Sequence, residues 1–150
     1  MDNRDGLILE LRRLLTSQRL GVLSTHNAGQ PYASLVSFAA TPDLTTFLFA
    51  TTRSTRKYAN LLSDSRAAML VDNRSNEASD IHSAMAVTAT GVVGDVASNE
   101  RSPALTVYLE KHPYLEEFVR SPSCAFLKLT VETYYLVRRF QNVVEITMPS

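Results

Sequence analysis

"FLFATTRSTRKYANL", residues 47–61, is the stretch on which the reading of this chain turns. An apolar run ends in four hydroxyls within five positions, Thr51, Thr52, Ser54 and Thr55, and the cations Arg53, Arg56 and Lys57 are interleaved with them. Tyr58, Leu61 and Leu62 then recur at helical spacing, so a strand runs through a short turn into a helix. With Ser54 as the N-cap, Arg56 and Lys57 fall in the first helical turn. Lys57 then stands where a Glu or Gln would complete a capping box. The positive end of a helix is a poor place for cations, and each costs roughly 0.3–1 kcal/mol there. A bound anion reverses the sign of those terms, because free backbone N–H groups, hydroxyls, a guanidinium and an ammonium would all face it. The alternative is a capped surface helix with solvated basic residues.

Outward from this stretch the chain reads mostly as strands. "DNRDGLILELRRLLTSQ" places Leu7, Leu11, Leu14 and Leu15 on one face of an amphipathic helix, with Asp2 or Asn3 as its cap. "LGVLST" is a strand, and "HNAGQP" carries the Asn and Gly of a hairpin turn. In "YASLVSFAA" both alternating faces are largely apolar, which predicts a strand buried on both sides. "RAAMLV" is a further strand, "DNRSNEASDIHS" a polar loop, and "AMAVTATGVVGDVA" a long strand with Gly91 and Gly94 as bulge or bend positions. "NERSPALTVYLEKHP" is a helix with Asn99 as its cap, and "YLEEFVR" adds a helical turn or two. "CAFLKLTV", "TYYLVRRF" and "NVVEI" are closing strands. No repeat or linker divides the chain. Many strands with few short helices predict a mainly β, α+β domain over 1–150, an antiparallel barrel with helical decoration.

Composition narrows the function classes. The chain has 150 residues, of which 15 are Lys or Arg and 15 Asp or Glu, so no overall field favours nucleic acid or an acidic membrane. The basic residues around position 55 are a local feature. A single cysteine, Cys124, excludes an internal disulfide, and three scattered histidines give no metal-ligand spacing. With neither a signal-peptide pattern nor an apolar run of membrane-spanning length, a cytoplasmic protein is expected.

The order "GQPYASLVSF", "FLFATTRSTRKYANL", a strand, and "AVTATGVVGDV" resembles the FMN-binding split-barrel family typified by pyridoxamine 5′-phosphate oxidase, from about Leu20 to Ile146. The resemblance implies an FMN cofactor whose phosphate is held by Thr51, Thr55, Arg56 and Lys57, with Thr52 and Ser54 in the same turn. It places Ser34, Leu35, Val36 and Ser37 beside the isoalloxazine, and Asn73 and Arg74 where ring-edge or partner-subunit contacts fall. It further implies a homodimer whose flavin sites lie at the subunit interface. The departures matter as well. Ser34 and Ala39 stand where the oxidase has an arginine and a lysine, and Ala86 stands near its flavin-contacting glutamine. Nothing in "TYYLVRRFQNVVEI" matches its Arg-x-His. The expectation is therefore an FMN-dependent oxidoreductase acting on a small molecule, with a nicotinamide nucleotide or another reductant supplying electrons, and not oxidation of pyridoxamine phosphate. A non-catalytic FMN carrier or redox sensor, or a deazaflavin- or haem-binding relative, stays open.

Other reactive residue types read as follows. Cys124 opens an apolar strand and suits a small core residue better than a nucleophile. Tyr134 and Tyr135, like Arg138 and Arg139, point to opposite faces of a strand. His82 is either a surface histidine or a proton donor. No catalytic residue is assigned.

Overall fold

The computed structural model describes residues 3–138 and 142–149. Seven strands form one antiparallel sheet: β1 (Leu20–Asn27), β2 (Gln30–Ala40), β3 (Thr46–Thr52), β4 (Arg66–Asp72), β5 (Ala86–Asp95), β6 (Cys124–Arg138) and β7 (Asn142–Thr147). The sheet order is β3-β2-β1-β4-β5-β6-β7, and β3 also pairs with β6, so six strands close into a barrel and β7 is appended to β6. The two strands expected at Cys124–Val131 and from Thr133 are one continuous strand of 15 residues. Its first half pairs with β3 and its second with β7. The helices are α1 (Asn3–Ser17), α2 (Arg56–Ser63), α3 (Asp80–Ser83), α4 (Arg101–Lys111) and α5 (Glu116–Arg120). Among the described residues no helix is long and apolar enough to cross a membrane.

The alternation of each strand sorts its side chains. Leu23, Val36, Phe38, Phe47, Phe49, Met69, Val87, Leu129 and Tyr134 fill the barrel, and Leu11, Leu14 and Leu15 of α1 join the same core. Phe38 and Phe47 stack with ring centroids 5.3 Å apart. On the outside, Leu105 and Tyr108 of α4 and Val119 of α5 pack on Ala39, Leu48 and Phe126. This outer cover stops partway along β2. The strand expected to be buried on both faces is buried only in its second half; Leu35 is 64% exposed and Tyr32 40%.

Three local expectations are corrected. The polar excursion after β4 contains α3, because the Asp80 carboxylate accepts from the backbone N–H groups of Ser75, Asn76 and Glu77 and from the Ser75 hydroxyl. A four-residue exposed helix leaves no apolar period to read. Helix α4 is not capped by Asn99; Glu100 takes the N-cap position without a side-chain cap bond, its carboxylate 2.9 Å from the Lys128 ammonium. Gly94 is not a bend, since it pairs in register with Lys128. The bulge lies at Thr90/Gly91, where Thr90 pairs with Thr133 and Gly91 with Val131. The Asp2 cap lies outside the described residues, and α1 begins at Asn3.

One buried histidine ties α4 to the barrel. His112 is fully buried, and its Nε2 lies 2.7 Å from the Phe38 carbonyl, which can only accept, so Nε2 carries the proton. Nδ1 then accepts from the Tyr114 hydroxyl at 3.2 Å. Burial holds this imidazole below its ordinary pKa of 6.5, so the unfolded chain takes up a proton that the folded chain resists. The contribution is complete above the unfolded pKa and is lost as pH falls through it. The urea midpoint is expected to drop from about pH 7 to about pH 5. His112→Gln keeps a donor for Phe38 but cannot titrate, and should flatten the profile in that window. An unchanged slope would show that other groups set it.

Candidate functional site

Strands β2 and β3 pair only over Phe38–Ala40 and Phe47–Phe49, and beyond that point they diverge. From Gln30 to Ser37, β1 is the only strand that pairs with β2 among the described residues. Half of its backbone N–H and C=O groups in that span therefore face an open edge. On the other side of the split, β3 ends at Thr52 and the chain turns into α2. A strand edge of unpaired backbone groups and the N-terminus of a helix thus share one opening.

The turn is built by its threonines. Thr55, not Ser54, is the N-cap of α2: its backbone is extended and its Oγ1 accepts from the Tyr58 N–H at 3.3 Å. The buried Thr51 hydroxyl lies 2.9 Å from Thr55 Oγ1, and Thr55 Oγ1 lies 3.0 Å from the Thr52 carbonyl. That carbonyl can only accept, and both hydroxyls reach it, Thr51 Oγ1 at 3.3 Å and Thr55 Oγ1 at 3.0 Å. These two hydroxyls hold the turn's shape. With the cap at Thr55, Arg56 and Lys57 occupy the first two helical positions, whose N–H groups have no intrahelical acceptor. Thr52 and Ser54, with hydroxyls 3.4 Å apart, lie on the exposed side of the same turn.

The cations divide by role. Arg53 folds back, donating to the Tyr58 hydroxyl at 2.8 Å and lying within reach of the Cys124 carbonyl. Arg56 sits over the Tyr32 ring, 6.0 Å from its centroid, which links α2 to the open half of β2. No carboxylate pairs with Arg56 or Lys57 among the described residues. Two cations at the positive end of a helix, without counter-ions, make a site of one sign. An anion is the group that fits it.

The strand residues expected to line a ring separate by parity. Ser34 and Val36 face inward; Val36 is 5% exposed, so only its backbone can reach a ligand. The Ser34 hydroxyl is buried with no hydrogen-bond partner, an orphaned polar atom in the strand beside the split. Leu35 and Ser37 face outward, and the Ser37 carbonyl accepts from Tyr108 Oη at 3.2 Å. Leu35 lines a groove of about 410 Å³ on the outer sheet face, together with Arg19, Val22, Leu70 and Arg74. Arg74 is paired with Asp72, its Nε 3.1 Å from the carboxylate. The Asn73 side-chain oxygen accepts from the Met85 N–H at 2.7 Å and closes the loop before β5. The structure therefore brings Thr51–Lys57 together with Tyr32 and the open edge of β2, and gathers Leu35 and Arg74 on the outer sheet face.

Tyr32 and Arg19 were missed by the sequence reading. Tyr32 lies 24 residues from Arg56, and only the β1–β2 hairpin register brings them together. The remaining candidates are structural or peripheral. Tyr134 is fully buried and donates to the Leu44 carbonyl at 2.6 Å, whereas Tyr135 lies on the outer face. Cys124 is buried, and burial raises its thiol pKa. Arg138 pairs with Glu10, while Arg139 lies outside the described residues. His82 is exposed on α3. Among the described residues no group of three His, Cys, Asp or Glu side chains could hold a metal ion.

Several solved structures share this fold. The heme-binding protein from Mycobacterium smegmatis superposes with a TM-score of 0.82 at 20% identity, over 92% of this chain and 56% of that one. This chain thus spans little more than half of that protein's length. A FAD-binding protein from Mesorhizobium loti gives a TM-score of 0.69 at 15% identity, over 86% of this chain and 90% of its own. A Clostridium acetobutylicum protein related to general stress protein 26, of the pyridoxinephosphate oxidase family, gives 0.74 at 15% identity, over 99% and 97%. No curated protein matches the sequence. Residues 7–138 match the family model for pyridoxamine 5′-phosphate oxidase, and with the closed barrel and its split edge the chain belongs to that family.

Proposed function

We propose that this protein is an FMN-binding flavoprotein, a homodimer that carries out flavin-mediated redox chemistry on a small molecule. The observation that carries the reading is the pair Arg56 and Lys57, without counter-ions, at the positive end of α2 beside the open edge of β2. The N–H groups of the first helical turn, the hydroxyls of Thr52 and Ser54, and both cations would hold the phosphate, on a turn kept in shape by Thr51 and Thr55. Backbone groups of Ser34–Ser37 would meet the polar edge of the ring. When bound, the flavin supplies hydride or electron transfer, and the protein orients it and excludes water.

The outer-face position of Leu35 and Arg74 fits a site shared between subunits, because one protomer cannot bring that face to its own α2 turn. The exposed Leu20, Leu35 and Tyr135 would be covered by the partner. Oxidation of pyridoxamine phosphate is not part of this reading, since Ser34, where the oxidase has an arginine, leaves the pocket with fewer cations than the oxidase. A nicotinamide nucleotide or another small reductant is the expected electron donor.

A haem reading has support from the M. smegmatis neighbour. Against it, both ring nitrogens of the buried His112 are engaged, so iron ligation by that residue would break one of its contacts. The visible spectrum of the purified protein separates the readings. Flavin bands that bleach anaerobically with NADH or NADPH, in a particle of twice the 16.6 kDa chain mass, are the expected result. A Soret band with no flavin absorbance would overturn it. A flavin that no reductant bleaches would leave a carrier or sensor.

A further inference from the structure

A second cavity lies away from the split, between α1, the β2–β3 turn and α4, with a volume of about 440 Å³. That is within the size range of small-molecule sites. Leu15, Leu44 and Val107 give it an apolar wall, and Arg12, Glu110 and Lys111 supply its charges. Lys111 is half-buried. Its ammonium donates to the Leu15 carbonyl at 2.8 Å and lies 3.9 Å from the centroid of the Phe38 ring. An ammonium has three donors. The carbonyl takes one, the ring face can take a second, and no carboxylate pairs with it among the described residues. Arg12 donates to the Pro42 carbonyl through one nitrogen and keeps its other donors.

We propose that this cavity binds an amphipathic monocarboxylate, its chain against Leu15, Leu44 and Val107 and its carboxylate between Lys111 and Arg12. Glu110 on the same wall disfavours a second negative charge, so a dicarboxylate or phosphate monoester should bind more weakly. This site is separate from the flavin reading and stands or falls without it. The groups facing Lys111 are Arg12 of α1, Glu110 and the neutral His112 next to it, and Arg19 at the entry to β1. Burial first, and the charge of Arg19 second, bring the Lys111 pKa down to about 8. A bound carboxylate would raise it again, so affinity should be greatest below that pH and fall about tenfold per unit above it.

The test is calorimetric titration of the full chain with decanoate and with decanol. Decanoate is expected to bind saturably and at least about tenfold tighter than decanol, a difference of about 1.4 kcal/mol. Lys111→Met, which keeps the apolar stem, should remove that preference. Val107→Phe should block both probes by filling the cavity while leaving the ammonium in place. Equal binding of the two probes, decanoate affinity unchanged by Lys111→Met, or no saturable decanoate binding at millimolar concentration would each overturn the proposal.

Discussion

Arg56→Ala is expected to weaken FMN binding roughly ten- to hundredfold and to leave the fold unchanged. A charge-assisted hydrogen bond contributes about 1.5–3 kcal/mol, which converts to that range of affinity. The side chain is exposed and lies over the Tyr32 ring, so its loss should cost the fold no more than about 0.5 kcal/mol. Removing a cation from the first turn of α2 even relieves an unfavourable interaction with the helix dipole in the free protein. Stability and affinity should therefore move independently, which a purely structural residue would not allow. Thr55→Val is the useful contrast: it removes the cap on the Tyr58 N–H and should lower stability by about 1 kcal/mol as well as affinity. Riboflavin shares the ring but lacks the phosphate and should bind much more weakly than FMN. If the unmutated protein bound the two equally, the phosphate site would be removed from the account, whatever the variants did.

The second large effect concerns the barrel. A Cβ added at Gly91 would stand 1.9 Å from the Thr130 carbonyl oxygen and 2.9 Å from its carbon. Both atoms are backbone of β6 at the bulge, so no side-chain rotation can make room. Gly91→Ala is expected to cost about 3 kcal/mol or more, roughly a hundredfold in the folding equilibrium. Gly94 is three residues along the same strand, and a Cβ there meets nothing within 4 Å. Gly94→Ala should be close to neutral, or slightly stabilising through the unfolded chain. Urea midpoints at one protein concentration check the pair, the concentration held fixed because any self-association would couple to stability. Equal midpoints for the two variants would mean that β5 and β6 separate at the bulge at little cost.

Much of the barrel was legible because its strands are long and their apolar residues recur with period two. The Asn27–Gln30 hairpin was marked by its glycine, and α1 by four leucines on one face. The elements that escaped were those whose cause is not periodic. Helix α3 is folded by one carboxylate collecting donors from three successive residues, and α4 begins after Glu100, which makes no side-chain cap bond. The cap of α2 was misplaced by one residue because Ser54 and Thr55 are chemically equivalent caps. Only the hydrogen bond from the Tyr58 N–H distinguishes them.

The sequence by itself determined a mainly β domain and a strand–turn–helix rich in hydroxyls and cations. These are local matters, set by residue type and spacing within a few turns of chain. Tertiary structure decided the rest. It showed that β2 parts from β3 after Phe38 and leaves its backbone edge open, that Tyr32 lies under Arg56, and that Leu35 and Arg74 share the outer face. It also put His112 in the core and Lys111 beside a cavity, although the two are adjacent and equally polar in the sequence. The physical reason is that periodicity tells which face a side chain takes. What covers that face depends on strand register and on where a distant helix comes to rest.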